Sequence, residues 1–120
     1  MENSQGRDIL TVTTTVGSRE DARRLARAIV QARLAACVQV EDGLTSFYRW
    51  QGKECEDAEV RLTLKTLPGC EPALQALFEK LHPYEVPQFV AVRMQAGEAY
   101  YAWARAEIAL PDDPRETLGL

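Results

Sequence analysis

The chain has 120 residues, of which 46% are hydrophobic and 27% charged, values that are ordinary for one globular domain. No apolar run approaches the ~20 residues that a membrane-spanning helix needs, so no membrane association is expected. The net charge of -4, with basic residues scattered along the chain, excludes a nucleic-acid-binding surface. The opening residues lack the apolar segment of a signal peptide, which predicts a cytoplasmic protein.

The first half of the chain predicts a strand, a helix and a second strand. Residues 8–16 (DILTVTTTV) alternate, with threonines on one face and apolar side chains on the other. Ser18 and Asp21 have the spacing of a helix N-cap, and the apolar residues that follow recur at helical intervals. Residues 35–40 (AACVQV) form the next apolar run. Together these patterns indicate a strand–helix–strand unit.

The second half repeats this order. Residues 59–67 (EVRLTLKTL) alternate as a half-buried strand, PGCEP opens a helix, and residues 87–94 (PQFVAVRM) form a further strand. Two such units predict an α+β fold, a ferredoxin-like β-α-β-β-α-β sandwich whose helices cover one sheet face. Residues 97–108 add a C-terminal helix. We expect a single domain over residues 1–120, with a core at about 9–108 and flexible termini, including the tail PDDPRETLGL.

The hairpin that joins the two units is longer than a compact domain. Each arm has about fifteen residues, which extend to about 50 Å at ~3.3 Å per residue. The tip SFYRWQGK would then project into water with Phe47, Tyr48 and Trp50, which favours an oligomer. Asp42-Gly43 offers an alternative, a turn that breaks the first arm. A long bent ribbon is the favoured interpretation.

Three ordered segments together resemble the CutA divalent-cation tolerance family: ARLAACVQVEDGLTSFYRWQGK, EVRLTLKT and LHPYEVPQFVAV. The resemblance covers about residues 9–108. It implies a ferredoxin-like fold with a PII-like trimeric assembly, tolerance to copper and other divalent metals, and no catalytic activity. Thr14 and Leu81 stand where some bacterial members carry Cys and His, which are candidate copper ligands.

His82 and Cys37 are the remaining candidate metal ligands, since copper prefers imidazole and thiolate donors. They supply only two ligands, so Glu59, Glu41, water or a neighbouring chain would have to complete a weak site for copper(II) or another divalent cation. Two structural alternatives stay open. His82 precedes a proline and can simply end the helix beside Tyr84, and Cys37 can be a small buried core residue.

The other cysteines fit neither a disulfide framework nor a zinc site, because three is an odd number and no C-x-x-C spacing occurs. Cys55 is expected near the hairpin tip and accessible. Cys70, at a helix N-terminus, is a candidate reactive thiol. No base is placed near any thiol, so we expect no catalytic site. The glycine-rich anion loop of acylphosphatases, which share the fold, is absent.

The outward face of the residue 59–67 strand predicts the subunit interface. Its charged residues need partners if they are buried between subunits. The predicted homotrimer interface comprises Phe47, Tyr48, Trp50, Glu59, Arg61 and Lys65, with a candidate cleft at Tyr84 and Glu41. The alternative function is a trimeric scaffold or small-ligand signalling protein without a metal site.

Overall fold

The computed structural model of the protein describes residues 6–110, which form four strands, three α-helices and one short 3₁₀ turn. The predicted order is confirmed, including the additional C-terminal helix. The predicted tail, residues 111–120, lies outside the described residues. The elements are β1 (Asp8–Val16), α1 (Arg19–Gln31), β2 (Cys37–Trp50), β3 (Lys53–Thr66), the 3₁₀ turn (Pro68–Cys70), α2 (Glu71–Leu81), β4 (Val90–Gln95) and α3 (Glu98–Glu107).

The four strands form one antiparallel sheet in the order β2-β3-β1-β4. This is the order that two interleaved strand–helix–strand units produce, with β1 and β3 in the centre. The alternating apolar residues of the central strands pack with α1 and α2 into one hydrophobic core, and the threonines Thr11, Thr13 and Thr15 lie on the other sheet face. We call this second face the open face.

The helix ends follow their local sequence. The Ser18 hydroxyl accepts a hydrogen bond from the Asp21 amide at 3.1 Å, which confirms the predicted N-cap of α1. Arg33 follows α1 with a positive φ of 59°. Its guanidinium donates to the main-chain oxygens of Ala106 and Glu107 at 3.0 and 2.9 Å. Arg33 therefore joins the ends of α1 and α3, since free carbonyls at a helix C-terminus favour a cationic donor.

The hairpin is long and bent, as predicted. Its tip is a two-residue turn at Gln51 and Gly52, both with positive φ, which suits the twist of a two-stranded ribbon. The register shifts between Glu41 and Leu44, so Asp42-Gly43 makes a bulge and does not end the strand. Only residues 60–66 of β3 pair with β1. The rest of the hairpin projects as a free ribbon, and the molecule extends 52 Å along its longest axis.

The open face carries the charged row that the sequence predicted. Glu41 on β2 accepts from Arg61 on β3 at 2.8 Å, and Gln39 accepts from Lys65 at 3.5 Å. These pairs form between adjacent strands of one chain. All six residues of β4 are exposed, among them the apolar side chains of Val90, Val92 and Met94.

Candidate functional site: a cleft beside the projecting ribbon

A cleft of about 680 Å³ lies between the projecting ribbon and the loop that follows α2. The ribbon supplies one wall and the proline-containing loop of residues 83–88 supplies the other. Pro83 and Pro87 restrict the backbone of this loop, because the proline ring limits its own φ angle. The lining residues are Thr15, Ser46, Phe47, Tyr48, Trp50, Glu59, Pro83, Tyr84, Glu85, Val86, Pro87 and Gln88.

Glu59 holds the two walls together. One of its carboxylate oxygens accepts a hydrogen bond from the Ser46 hydroxyl at 2.7 Å, and the other accepts from the Tyr84 hydroxyl. The residue is only 9% exposed. Burial and the bond to Glu59 both raise the pKa of Tyr84, burial most, so the phenol keeps its proton and remains a donor.

Aromatic rings line the ribbon side of the cleft. Tyr48 and Trp50 lie there with Phe47, which is 72% exposed. The Tyr48 hydroxyl donates to Asp57 on the adjacent strand, and this bond is the main cause that raises the pKa of Tyr48 to about 12. The described residues that line the cleft include two acids, Glu59 and Glu85, and no basic side chain. The cleft therefore combines aromatic surface with negative charge.

His82 directly precedes the loop of residues 83–88. Both of its ring nitrogens have hydrogen-bond partners within the chain. Nδ1 accepts from the Tyr84 amide at 3.1 Å, and Nε2 lies 3.0 Å from the Thr14 hydroxyl oxygen. Because Nδ1 accepts, the neutral ring carries its proton on Nε2. The ring also packs between Phe78 and Tyr84, with centroids 5.5 and 5.2 Å away.

This environment is that of a structural histidine. His82 is 8% exposed, and its main chain takes the extended conformation that ends α2. Burial is the main cause that lowers the pKa of His82. The ring is therefore neutral near pH 7, but its one lone pair accepts from Tyr84. His82 ends α2 and packs beside Tyr84, as in the structural alternative given for this residue.

Cys37 and His82 are not brought together within the chain. Cys37 lies opposite Lys65 on the open face, whereas His82 contacts Thr14, which is fully buried on the helix-covered side. Within residues 6–110, no three His, Cys, Asp or Glu side chains converge as a metal site. Thr14 hydrogen-bonds to the His82 ring, and Leu81 is exposed.

The remaining candidates divide between the cleft and the open face. Tyr84 and Glu59 line the cleft, but Glu41 pairs with Arg61 outside it. The alternative interpretation of Cys37 as a small buried core residue is wrong, because its position on the open face leaves it partly exposed. Cys70 is fully buried in the core, so its thiol is not accessible as a reactive group. Cys55 is partly exposed near the hairpin tip.

Sequence reasoning missed the Ser46–Glu59–Tyr84 cluster. Glu59 was predicted as a member of the charged interface row and as one of the groups that could complete a metal site, and Tyr84 was predicted to form a cleft with Glu41, but neither was linked to the other or to Ser46. The three residues are separated by 13 and 25 positions, and no local pattern links them. Glu59 lies just beyond the part of β3 that pairs with β1, whereas Arg61 and Lys65 lie within it, and this pairing is a property of the folded sheet that the alternating pattern does not mark.

Comparison with known proteins decides the family. The family model described as CutA1 divalent ion tolerance protein matches residues 10–107. The chain belongs to the CutA1 family. It is 47% identical over 95 residues to the divalent-cation tolerance protein CutA of Thermus thermophilus, which covers 78% of this chain and 92% of that protein. It is 42% identical over 85 residues to human protein CutA, covering 70% of this chain but only 48% of the human protein.

Solved structures of the family have the same fold. The Cut A1 structure from Thermus thermophilus matches with a TM-score of 0.80 and 44% identity, covering 84% of this chain and 99% of that one. CutA1 from Oryza sativa matches with a TM-score of 0.81 and 34% identity, covering 85% and 94%. None of these CutA names carries an enzymatic activity. Over the residues that the structure describes, no helix is long and apolar enough to traverse a bilayer.

Proposed function

We propose that this CutA1 family member is a non-catalytic homotrimer that serves divalent-cation tolerance and binds copper(II) or another divalent cation weakly. The observation that carries the proposal is the family match over residues 10–107. The exposed apolar surface of the ribbon and β4 supports the trimeric state.

The sheet edges support assembly. Within the described part of the chain, β2 and β4 are the outer strands, so each presents main-chain groups on one side that no other strand pairs with. On β4 these groups accompany exposed Val90, Val92 and Met94, and on the ribbon they accompany Phe47, Tyr48 and Trp50. Long exposed edges with apolar side chains favour pairing with another copy of the chain. The PII-like trimer implied by the sequence resemblance would cover them.

Of the two predicted metal ligands, His82 and Cys37, Cys37 is the one that the fold leaves available. Its thiol is partly exposed on the open face, where Glu41 and Gln39 lie along the same strand. The His82 lone pair is engaged by Tyr84. One thiolate with oxygen ligands makes a sparse site, so a neighbouring subunit has to complete it. Weak affinity follows from this ligand set.

Light scattering and copper titration of the tag-free protein test the proposal. The expected mass is about three times 13.4 kDa. Cys37→Ser should weaken copper binding at least tenfold, whereas Cys55→Ser, which changes another partly exposed thiol, should leave it unchanged. His82→Ala should also leave it unchanged. A monomeric mass, or equal copper binding by wild type and Cys37→Ser, contradicts the corresponding part of the proposal.

The cleft favours a second function, a trimeric scaffold or small-ligand signalling protein. Its volume of about 680 Å³ lies within the ~300–1,000 Å³ of small-molecule sites. Aromatic walls around a few polar groups are also typical of such sites. Saturable binding of an organic molecule by protein that shows no specific copper binding would favour this function over the first.

A further inference from the structure

A basic groove lies on the helix side of the protein. It has a volume of about 600 Å³ and follows the exposed face of α1 to the last residue of α2. We call it the arginine groove, and its lining residues are Glu20, Arg23, Arg24, Arg27, Ala28, Gln31 and Leu81. None of these residues belongs to the ribbon, the open face or β4. Assembly through those surfaces therefore leaves the groove accessible.

Arginine dominates the charge of the groove. The α1 sequence contains four arginines and two acids, although the whole chain has a net charge of -4. Arg24 pairs with Asp21. Within residues 6–110, the guanidinium groups of Arg23 and Arg27 form no ion pair or hydrogen bond. The groove thus offers two unengaged guanidinium groups, with a third beside them.

These arginines do not stabilise the helix that carries them. Cationic side chains stabilise a helix near its C-terminus, but the last turn of α1 has no basic residue. Arg27 lies one turn after both Arg23 and Arg24, and like charges at this spacing repel each other. An anion bound between them would remove that repulsion. The charge pattern therefore favours a bound anion over a helix face that contacts only water.

The two ends of the arginine groove differ in charge. Glu20 places a carboxylate at the end nearest the start of α1, where it repels an anion. Gln31 lies at the other end, and its side-chain amide is a hydrogen-bond donor. Ala28 lies between the ends and leaves space, because its side chain is a single methyl group. An anion is therefore expected beside Arg27.

The spacing and type of the basic residues indicate which anion fits. Side chains three or four residues apart on a helix have Cβ atoms about 5–6 Å apart, so Arg23, Arg24 and Arg27 form one compact group. An extended acidic peptide presents the side chains of one face in a line, about 6.6 Å apart. A compact group instead suits one anion with several charged oxygens. Arginine, unlike lysine, binds phosphate oxygens in a bidentate manner.

We propose that the arginine groove binds a diphosphate or triphosphate group, with Arg23 and Arg27 as its main ligands, Arg24 as a further cation and Gln31 as a neutral donor. The site goes beyond the proposed function and does not depend on it, because it lies outside the surfaces assigned there to metal binding and assembly.

The phosphate group can belong to inorganic triphosphate or to an organic ester. Leu81 borders the groove with 46% of its surface exposed, and the organic part of an ester would pack on it. Uridine triphosphate is the ester probe. If the ester is the ligand, it should bind more tightly than inorganic triphosphate, and Leu81→Ala should remove only that advantage. Equal affinities would assign the site to the inorganic anion.

Calorimetric titration of the tag-free protein with inorganic triphosphate tests the site. The buffer contains EDTA, so that no divalent cation bridges the anion to the protein. We expect saturable binding of one triphosphate per chain, at least tenfold tighter than binding of orthophosphate, citrate or tetraglutamate. The affinity should fall as salt is added, because the arginines are exposed and their charge is screened.

Arg27→Gln is the decisive variant, because Arg27 neighbours both other arginines. It should weaken triphosphate binding at least tenfold, and Arg27→Lys, which keeps the charge without the bidentate donor, should recover only part of the loss. Arg105→Gln removes the same charge from an exposed position on α3 and should leave binding unchanged. Circular dichroism and light scattering establish that each variant keeps the fold and the assembly of the wild type.

Equal triphosphate binding by wild type and Arg27→Gln overturns the proposal. An equal loss in Arg27→Gln and Arg105→Gln also overturns it, since the overall charge would then be the cause. If citrate binds as tightly as triphosphate, the phosphate class is wrong, and if tetraglutamate does, the groove is a docking site for acidic peptides. Copper titration and light scattering test the proposed function separately, so its failure is distinguishable from a failure here.

Discussion

The same pair of strands is buried at one end and exposed at the other. Near the centre of the sheet, Leu62 and Leu64 of β3 are fully buried beneath the helices. Some ten residues away on the same hairpin, Phe47, Tyr48 and Trp50 lie in a ribbon that none of the helices within residues 6–110 covers. Strand pairing is continuous between the two regions apart from the bulge. Hydrogen bonding within the sheet is therefore not what distinguishes them.

The core end and the ribbon end of the hairpin obtain their stability from different contacts. The core end buries apolar side chains within one chain, and burial of a Leu or Val side chain contributes about 1.5–3 kcal/mol. The ribbon end leaves its largest side chains in water, so within a single chain it gains little from them. Its apolar surface contributes fully only when another molecule covers it, which makes the ribbon the part of the fold that depends on assembly.

The largest effect is expected at the core end. Leu62→Ala should lower the free energy of unfolding by about 2–5 kcal/mol, because Leu62 is fully buried and its truncation leaves a cavity. Chemical denaturation at one fixed protein concentration measures this change. Leu81→Ala, which removes the same atoms from an exposed helix position, should change stability by about 0.5 kcal/mol or less. Equal losses from the two variants would contradict the assignment of the core.

At the ribbon end we expect a smaller effect, which changes subunit association. The double variant Tyr48→Ala with Trp50→Ala should raise the protein concentration at which subunits dissociate at least tenfold, equivalent to about 1.4 kcal/mol. Light scattering over a dilution series measures it. Val30→Ala, at a similarly exposed apolar site on α1, serves as the control and should have no effect. An unchanged dissociation curve for the double variant would show that the ribbon aromatics do not hold the subunits together.

A dependence of stability on pH is expected at the junction between the two regions. His82 packs against Phe78 of α2 and faces Thr14 and Thr15 of β1, with the charges of Glu59 on β3 and Asp21 on α1 nearby. Burial lowers the pKa of His82. It outweighs a hydrogen bond with the main chain of Thr15 and the two nearby charges, which raise the pKa. The unfolded chain, with a His pKa of about 6.5, therefore binds the proton more readily than the folded one.

The direction of the pH dependence follows from this difference in proton binding between the folded and unfolded chains. The contribution of neutral His82 to stability is complete above pH 6.5 and declines as the pH falls from 6.5 through the lowered pKa of the folded state. The loss in unfolding free energy caused by His82→Ala should accordingly shrink between pH 8 and pH 5. At pH 8 it should be about 1–3 kcal/mol, because the substitution leaves buried partners without hydrogen bonds. A loss that does not vary with pH would indicate that the ring does not titrate in this range.

Much of the fold was predictable because its signals are local. Alternation in DILTVTTTV and EVRLTLKTL placed β1 and β3, and Ser18 placed the start of α1. Asp42-Gly43 illustrates the limit. The dipeptide indicates a change of backbone direction, but whether it ends a strand or makes a bulge depends on which residues of β3 lie opposite.

The candidate site was much less predictable. His82 and Cys37 were predicted as metal ligands from their residue types, yet they lie on opposite sides of the sheet. Residue type indicates what a side chain can bind, but not whether its lone pair is already used, as that of His82 is by the Tyr84 amide. The exposure of the thiols was not predictable either: Cys37 is partly exposed on the open face, whereas Cys70, at the start of a helix, is fully buried in the core.

The sequence by itself determined the order of the elements, the long ribbon with its exposed aromatics and the family resemblance, since periodicity, turn residues and ordered motifs are written along the chain. Only the tertiary structure decided that Ser46, Glu59 and Tyr84 meet at one carboxylate, and that His82 is engaged on both ring nitrogens. The physical reason is that hydrogen bonds and burial depend on the three-dimensional distance between groups. Sheet pairing and the loop after α2 bring residues together that are distant in the sequence, and no local sequence pattern predicts these contacts.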